Sequence, residues 1–170
     1  VAVVCETNNG RIENVTVGRV SPSVSDKVSG GLVEEKNGVI TKCCFKASIE
    51  SEASVGGISR VNSGTISDCS MSGDIHSHFE LGGISGVNIG SIINSEVSGS
   101  TIKGNSRIGG IVGKNESEVR ACEVECVTVD SRSSISTHKS NTLAAHFGGI
   151  SGMNSGKITD VKVSVSVISG

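Results

Sequence analysis

The 170-residue chain contains no Trp and no Tyr, only three Phe and a single Pro. Large aromatic rings supply much of the bulk in the middle of a compact domain, so a wide globular interior is hard to build here. A core one side chain deep needs only Val, Ile, Ser, Cys and Gly. Excess charge is also missing. The formal net charge of −2 points away from nucleic acid and anionic membranes as partners. No apolar run approaches the roughly 20 residues a membrane-spanning helix needs. The sequence starts at Val1 without a leader, which is expected of a mature product or of a segment cut from a longer chain.

What the sequence has in plenty is glycine, 23 residues of it, and the glycines are periodic. Gly-Gly pairs begin at Gly30, Gly56, Gly82, Gly109 and Gly148, at intervals of 26, 26, 27 and 39 residues. A large aliphatic residue follows each pair (Leu32, Ile58, Ile84, Ile111, Ile150). An Asn comes a few residues later (Asn37, Asn62, Asn88, Asn115, Asn154), and then another aliphatic residue (Ile40, Ile66, Ile92, Val119, Ile158). The stretch from Asn8 to Val17 reads as a first copy without its Gly-Gly pair. A fixed period in this range signals a solenoid, a propeller or an array before any local feature is weighed.

Gly, Ser, Thr, Val, Ile and Asn dominate the repeat, and all are mediocre or poor helix formers. Strict alternation speaks for strands instead. The apolar set reads Cys43, Phe45, Ala47, Ile49, then Cys69, Met71, Gly73, Ile75, then Ser95, Val97, Gly99, Thr101. It continues as Cys122, Val124, Cys126, Thr128 and closes with Val161, Val163, Val165, Val167, with polar residues in between. A propeller blade takes about 40 residues or more, and no leucine-rich pattern is present. The expected fold is an all-β parallel β-helix (β-solenoid): one domain over residues 1–170, with about six coils of ~26 residues starting near 2, 30, 56, 82, 109 and 148. Right-handedness is expected, because left-handed β-helices favour hexapeptide repeats with roughly 18 residues per coil. The Asn of each copy suits a bend and can bond along a column of its own kind. The Gly-Gly pair marks a second corner, where a Cβ would clash or φ must be positive.

The repeat Gly-Gly-Ile-Ser-Gly-Val-Asn-x-Gly-x-Ile resembles the GLUG repeat. "GGIVGKN" at 109–115 and "GGISGMNSGKI" at 148–158 carry the pattern most fully, and the likeness covers roughly residues 30–167. The second coil departs from it, with Glu34, Glu35 and Lys36 where Ser-Gly-Val is expected. GLUG repeats occur in bacterial surface proteins such as immunoglobulin A protease and large adhesins, outside their catalytic domains. The resemblance therefore implies a cell-surface or secreted setting and a spacer or adhesive role.

Several residue groups qualify as sites. Cys43, Cys69 and Cys122 share an inward slot with Val15, Ser95 and Val161, where a thiol packs as a small hydrophobe. Cys126 falls in another inward slot. Stacking at about 4.8 Å brings Cys43 and Cys69 within disulfide range, although directly stacked residues have poor Cβ geometry for the bond. Cys44 points outward as the accessible thiol, and Cys5 has no assigned slot. His76, His78 and Glu80 offer two imidazoles and a carboxylate on one face of an extended segment, which is chelation-capable but equally a solvated loop. The 39-residue interval inserts about 13 residues within 130–147, and solenoid insertions often form the binding face. Asp130, Arg132, His138, Lys139 and His146 are its polar set. Asn14-Val15-Thr16 and Asn115-Glu116-Ser117 are sequons, meaningful only in a eukaryotic secretory pathway.

Catalysis is poorly supported. A β-helical glycosidase needs carboxyls a few ångströms apart, whereas Asp68 and Asp160 fall about three coils, roughly 14 Å, from one another. No nucleophile elbow or phosphate loop occurs, and no cofactor is implied. A regular ice-binding Thr array is absent, since the relevant column reads Thr16, Cys44, Ser70, Glu96, Glu123, Lys162. The expected protein is a non-catalytic structural or adhesive segment of an extracellular or cell-surface protein. Neither end reads as capped, so stacking end to end with a second copy is the expected self-association. The alternative is a ligand-binding module that presents the 130–147 loop to a host glycan or protein. A carbohydrate-active enzyme ranks below both.

Overall fold

The computed structural model describes residues 2–18, 30–46, 48–131 and 146–169, with side chains at all of these except 126, 131 and 165–169. Among the described residues every regular element is a strand, and strands of successive turns pair in parallel. The chain is a β-solenoid. Its first sheet stacks Cys5–Asn8, Val33–Lys36, Ser59–Asn62, Ser85–Asn88, Val112–Asn115 and Ser151–Asn154. The second stacks Arg11–Glu13, Val39–Thr41, Thr65–Ser67, Ser91–Ile93, Glu118–Arg120 and Lys157–Thr159. A third, bent sheet holds Thr16–Gly18, Cys44–Lys46, Ser70–Ser72 and Glu96–Ser98, and beyond its bend Ile49–Ser51, Ile75–Ser77 and Thr101–Gly104. Glu123–Ser131 and Lys162–Ser169 each continue through both halves of that sheet, their mutual register shifting around Val127. The fourth sheet is short: Val55–Gly56, Leu81–Gly82, Arg107–Gly109 and His146–Gly148.

Four turns, from Val55 onward, therefore place a strand in every sheet. The two before them place strands in the first three sheets only, among the described residues. The expected six coils resolve into four complete turns and two partial ones.

The interior is one side chain deep, as the missing aromatics require. Ile40, Ile66, Ile92 and Val119 form one buried column, and Leu32, Ile58, Ile84, Ile111 and Ile150 another. Phe45, Met71, Val97 and Val124 form a third beside Cys43, Cys69, Ser95 and Cys122. Beyond the bend the alternation departs from expectation. Ile75 pairs with Ile102, and Ile102 with Val129, so Thr101 and Thr128 are not the inward residues. The 27-residue interval places one extra residue after Gly99, whose φ of 56° turns the chain. Cys126 lies outside the described side chains.

One corner differs from expectation and another follows it. Left-handed backbone is not at the conserved-looking Asn of each repeat. It falls at Asn14, Lys42, Asp68, Asn94, Ala121 and Asp160, with φ between 48° and 58°. Asp68 and Asp160 are thus corner residues between the second and third sheets rather than outward strand positions. The Gly-Gly corner is set by space alone: a Cβ on Gly82 would lie 2.1 Å from the Ser85 carbonyl oxygen and 2.6 Å from Val112 Cα. A third glycine of the motif has the same cause. At Gly113 a Cβ would meet Leu81 N at 2.5 Å, because the fourth sheet passes backbone against backbone there.

Candidate functional site

The asparagines of the repeat form a buried ladder. Asn62 Nδ2 donates to Asn88 Oδ1 at 2.7 Å, Asn88 to Asn115 at 2.8 Å, and Asn115 to Asn154 at 2.8 Å. The second proton goes to a main-chain carbonyl: of the next turn for Asn62 (Ser91) and Asn88 (Glu118), both at 3.1 Å, and of its own turn for Asn115 (Ser117, 3.0 Å). Side-chain oxygens also accept from the main-chain N–H two residues on, as Gly64 does to Asn62. The ladder has one direction: every amide donates toward the later turn. Asn62, Asn88 and Asn115 are sealed from solvent, so this satisfaction is what makes their burial tolerable.

Asn37 is not part of this ladder. The register places Lys36 opposite both Asn8 and Asn62, while Asn37 bonds Asn9 on the exposed corner at 3.1 Å. Lys36 is completely buried and is the largest side chain so enclosed. Its Nζ donates to Gly38 O at 2.7 Å and to Asn62 Oδ1 at 3.0 Å. Both acceptors are neutral. Burial, only partly offset by the Cys69 thiol, pushes the Lys36 ammonium down to about 8.

The polar candidates converge at a different place, the corner between the third and fourth sheets. Successive turns put Glu50, His76, Lys103 and Asp130 side by side in one column. Ser54, Glu80, Arg107 and His146 fall in the next. Between them, Asn105 Nδ2 lies 3.1 Å from His78 Nδ1. Lys103 Nζ sits 3.7 Å from Asp130 Oδ2, the Ser54 hydroxyl donates to Glu80 Oε2 at 2.5 Å, and Arg107 is paired with Glu80. Burial opposes ionisation of Glu80, but the Ser54 hydroxyl, a backbone amide and Arg107 outweigh it and hold the carboxyl below its usual range. Phe79 stands exposed in the same corner.

Residues from two separate parts of the sequence, His76–Glu80 and Asp130 with His146, thus share one surface. Glu80 is engaged by Arg107 and Ser54. Among the described residues no group of three His, Cys, Asp or Glu side chains is placed to hold a metal ion. Arg132, His138 and Lys139 lie outside the described residues.

All five described cysteines are free. Cys43 and Cys69 occupy adjacent rungs, yet each thiol donates back to the carbonyl two residues earlier, Thr41 at 3.2 Å and Ser67 at 3.1 Å. Cys122 does the same to Arg120 at 3.3 Å. Both thiols are free, and the possible Cys43–Cys69 disulfide is not formed. Burial pushes the Cys69 thiol up to about 12 and raises Cys122 as well. Cys44 faces outward between Thr16 and Ser70 but is half-buried rather than open. Cys5 takes the first-sheet position of Val33. Asn14 is exposed, whereas the Asn115 sequon is closed by the ladder. Among the described residues no helix is long and apolar enough to cross a membrane. No family model, curated protein or solved structure matches this chain.

Proposed function

We propose that the chain is a non-catalytic structural segment of an extracellular or cell-surface protein, a stiff rod that gains about 4.8 Å per turn. The observation that carries this reading is the run of like residues in the inward apolar columns, whose first and last described rungs are less buried than the rungs between them. At one end Ile12, Val15 and Val17 are half-buried. At the other, Ile158 and Val161 are half-buried and Val163 is exposed, in the same three columns. A second copy stacked head to tail continues every column, and Asn154 of one copy meets Asn8 of the next with the ladder's direction preserved. The likeness to the GLUG repeat agrees with a spacer or adhesive setting. Electron microscopy with light scattering at rising concentration tests this: filaments of uniform width are expected. Isolated particles at every concentration overturn the end-to-end assembly.

A second reading has one specific observation in its favour. The 130–147 insertion leaves and rejoins the stack at the corner that also gathers His76, His78, Phe79 and Glu80. We infer that this corner is the face offered to a glycan or protein if the rod carries a ligand. Removing residues 132–145 and measuring binding to host-cell glycans and matrix proteins tests it. Binding unchanged by the deletion sinks this reading and leaves the first untouched.

A further inference from the structure

We propose that the junction between the first two turns, Ala2–Gly18 against Gly30–Lys46, is a seam at which the solenoid opens, and that protonation of Lys36 sets how firmly it closes. Docking the first turn seals a primary ammonium group away from water. Two neutral oxygens receive it, Gly38 O and Asn62 Oδ1, and among the described residues no carboxylate is paired with it to repay the lost hydration. The ladder is interrupted at the same place. Lys36 has no acceptor for Asn8, whose Nδ2 reaches Val39 O at 3.3 Å. Each later junction from Asn62 onward has an amide–amide bond where this one has none.

The charged and titratable groups around Lys36 do not compensate. Glu6, Glu34 and Arg60 stand two residues earlier on the three rungs that enclose it, and Arg60 is paired with Glu34 at 3.4 Å. Glu6 and Glu34 bring like charges onto neighbouring rungs across the seam, which weakens pairing. Glu35 also faces Arg60, at 2.7 Å. The Cys69 thiol, the ionisable group that Lys36 senses from the third sheet, stays protonated at neutral pH. The Lys42–Glu13 contact at 3.6 Å crosses the seam but is exposed and contributes little. Opening the first turn returns Nζ to water. Closing is therefore disfavoured while Lys36 must carry its proton inward, and is strengthened as pH rises from about 8 toward 10.5.

Amide hydrogen exchange of the intact chain, corrected for the pH dependence of intrinsic exchange, tests the seam. In the wild type, amides of residues 2–18 are expected to open at least about tenfold more readily than those of 59–120 at pH 7. Their opening should fall by roughly tenfold or more between pH 7.5 and 9.5. Lys36→Asn, which restores the ladder, should protect residues 2–18 by about tenfold at pH 7 and abolish that pH dependence. Uniform protection along the chain, or the same protection and pH profile in wild type and variant, overturns the proposal. If Lys36→Asn does not fold, the wild-type pH series decides alone: a first turn whose opening ignores pH from 7.5 to 9.5 refutes it.

Discussion

The rungs from Asn62 to Asn154 and the rung at Lys36 occupy the same corner of the same fold, and they satisfy it in opposite ways. In the first, each buried amide donates twice and accepts, and the side-chain bond from one rung to the next joins asparagine to asparagine. In the second, a long cationic side chain fills the slot, donates twice to neutral oxygens and accepts nothing. A repeat fold makes the comparison unusually clean, because backbone, register and neighbours are held nearly constant. The difference shows that polar burial in a solenoid is tolerated through continuity of the column. One rung that cannot accept breaks that continuity for the rung before it.

The sharpest way to break the contrast is to move it. Asn88→Lys places the same interruption in the middle of the ladder, between Asn62 and Asn115. It removes two donors and an acceptor and buries a charge with no first turn to release it. A loss of about 3–5 kcal/mol is expected, read as a fall in the urea midpoint, with partial unfolding at room temperature. Asn88→Ala should cost less, about 2–3 kcal/mol, because it strands neighbouring amide groups without adding charge. An Asn88→Lys protein as stable as Asn88→Ala would mean that the buried charge at Lys36 is not the source of weakness.

The reverse exchange sharpens the comparison. Lys36→Asn should stabilise the chain by about 1–2 kcal/mol at pH 7. The sign of its pH dependence follows from the directions already given. Lys36 is depressed in the fold from 10.5 to about 8, so the unfolded chain binds the proton more tightly and the penalty is full below pH 8. It fades as pH rises to 10.5. Cys69, raised from 9.0 to about 12, acts oppositely and lowers stability as pH climbs through that range. The test is therefore the difference between variant and wild type, from which the cysteine contribution drops out apart from its coupling to Lys36. That difference should shrink between pH 8 and 10.5, and a constant difference across this window would contradict it.

Why the sequence revealed the frame and hid this contrast has a physical answer. Period and alternation are properties of the backbone, and the Gly-Gly spacing gives the stacked turns and the inward columns as far as the bend of the third sheet. Lysine is a residue of the surface by default, so the eye passes from Lys36 to Asn37. Counting would have found the true rung, since the 26-residue step back from Asn62 lands on Lys36 and not on Asn37. The same arithmetic applies to Ile102, which lies 27 residues after Ile75, as Gly109 does after Gly82. The polar corner had no such signal. Its rows read Glu50, His76, Lys103 and Asp130, and nothing repeats along that column for a periodic reading to detect. Only the pairing of strands places an insertion at residue 130 beside a His-Ser-His fifty residues earlier.

The cysteine column gives the smallest expected effect and isolates what a column requires. Its slot already holds Val15 and Val161 at the two ends and Ser95 in the middle. Each thiol makes only weak contacts to carbonyls, at 3.1–3.3 Å within its own turn. Cys122→Val should therefore change stability by less than about 1 kcal/mol, far below any ladder substitution. Under native conditions a thiol reagent should modify half-buried Cys44 and Cys5 well before Cys43, Cys69 or Cys122, which are buried away from it. Rapid labelling of all the cysteines, or a Cys122→Val loss as large as that of Asn88→Ala, would show that the column depends on its sulfurs. With both outcomes as expected, shape suffices for the apolar columns, and only the polar ladder demands a particular residue at every rung.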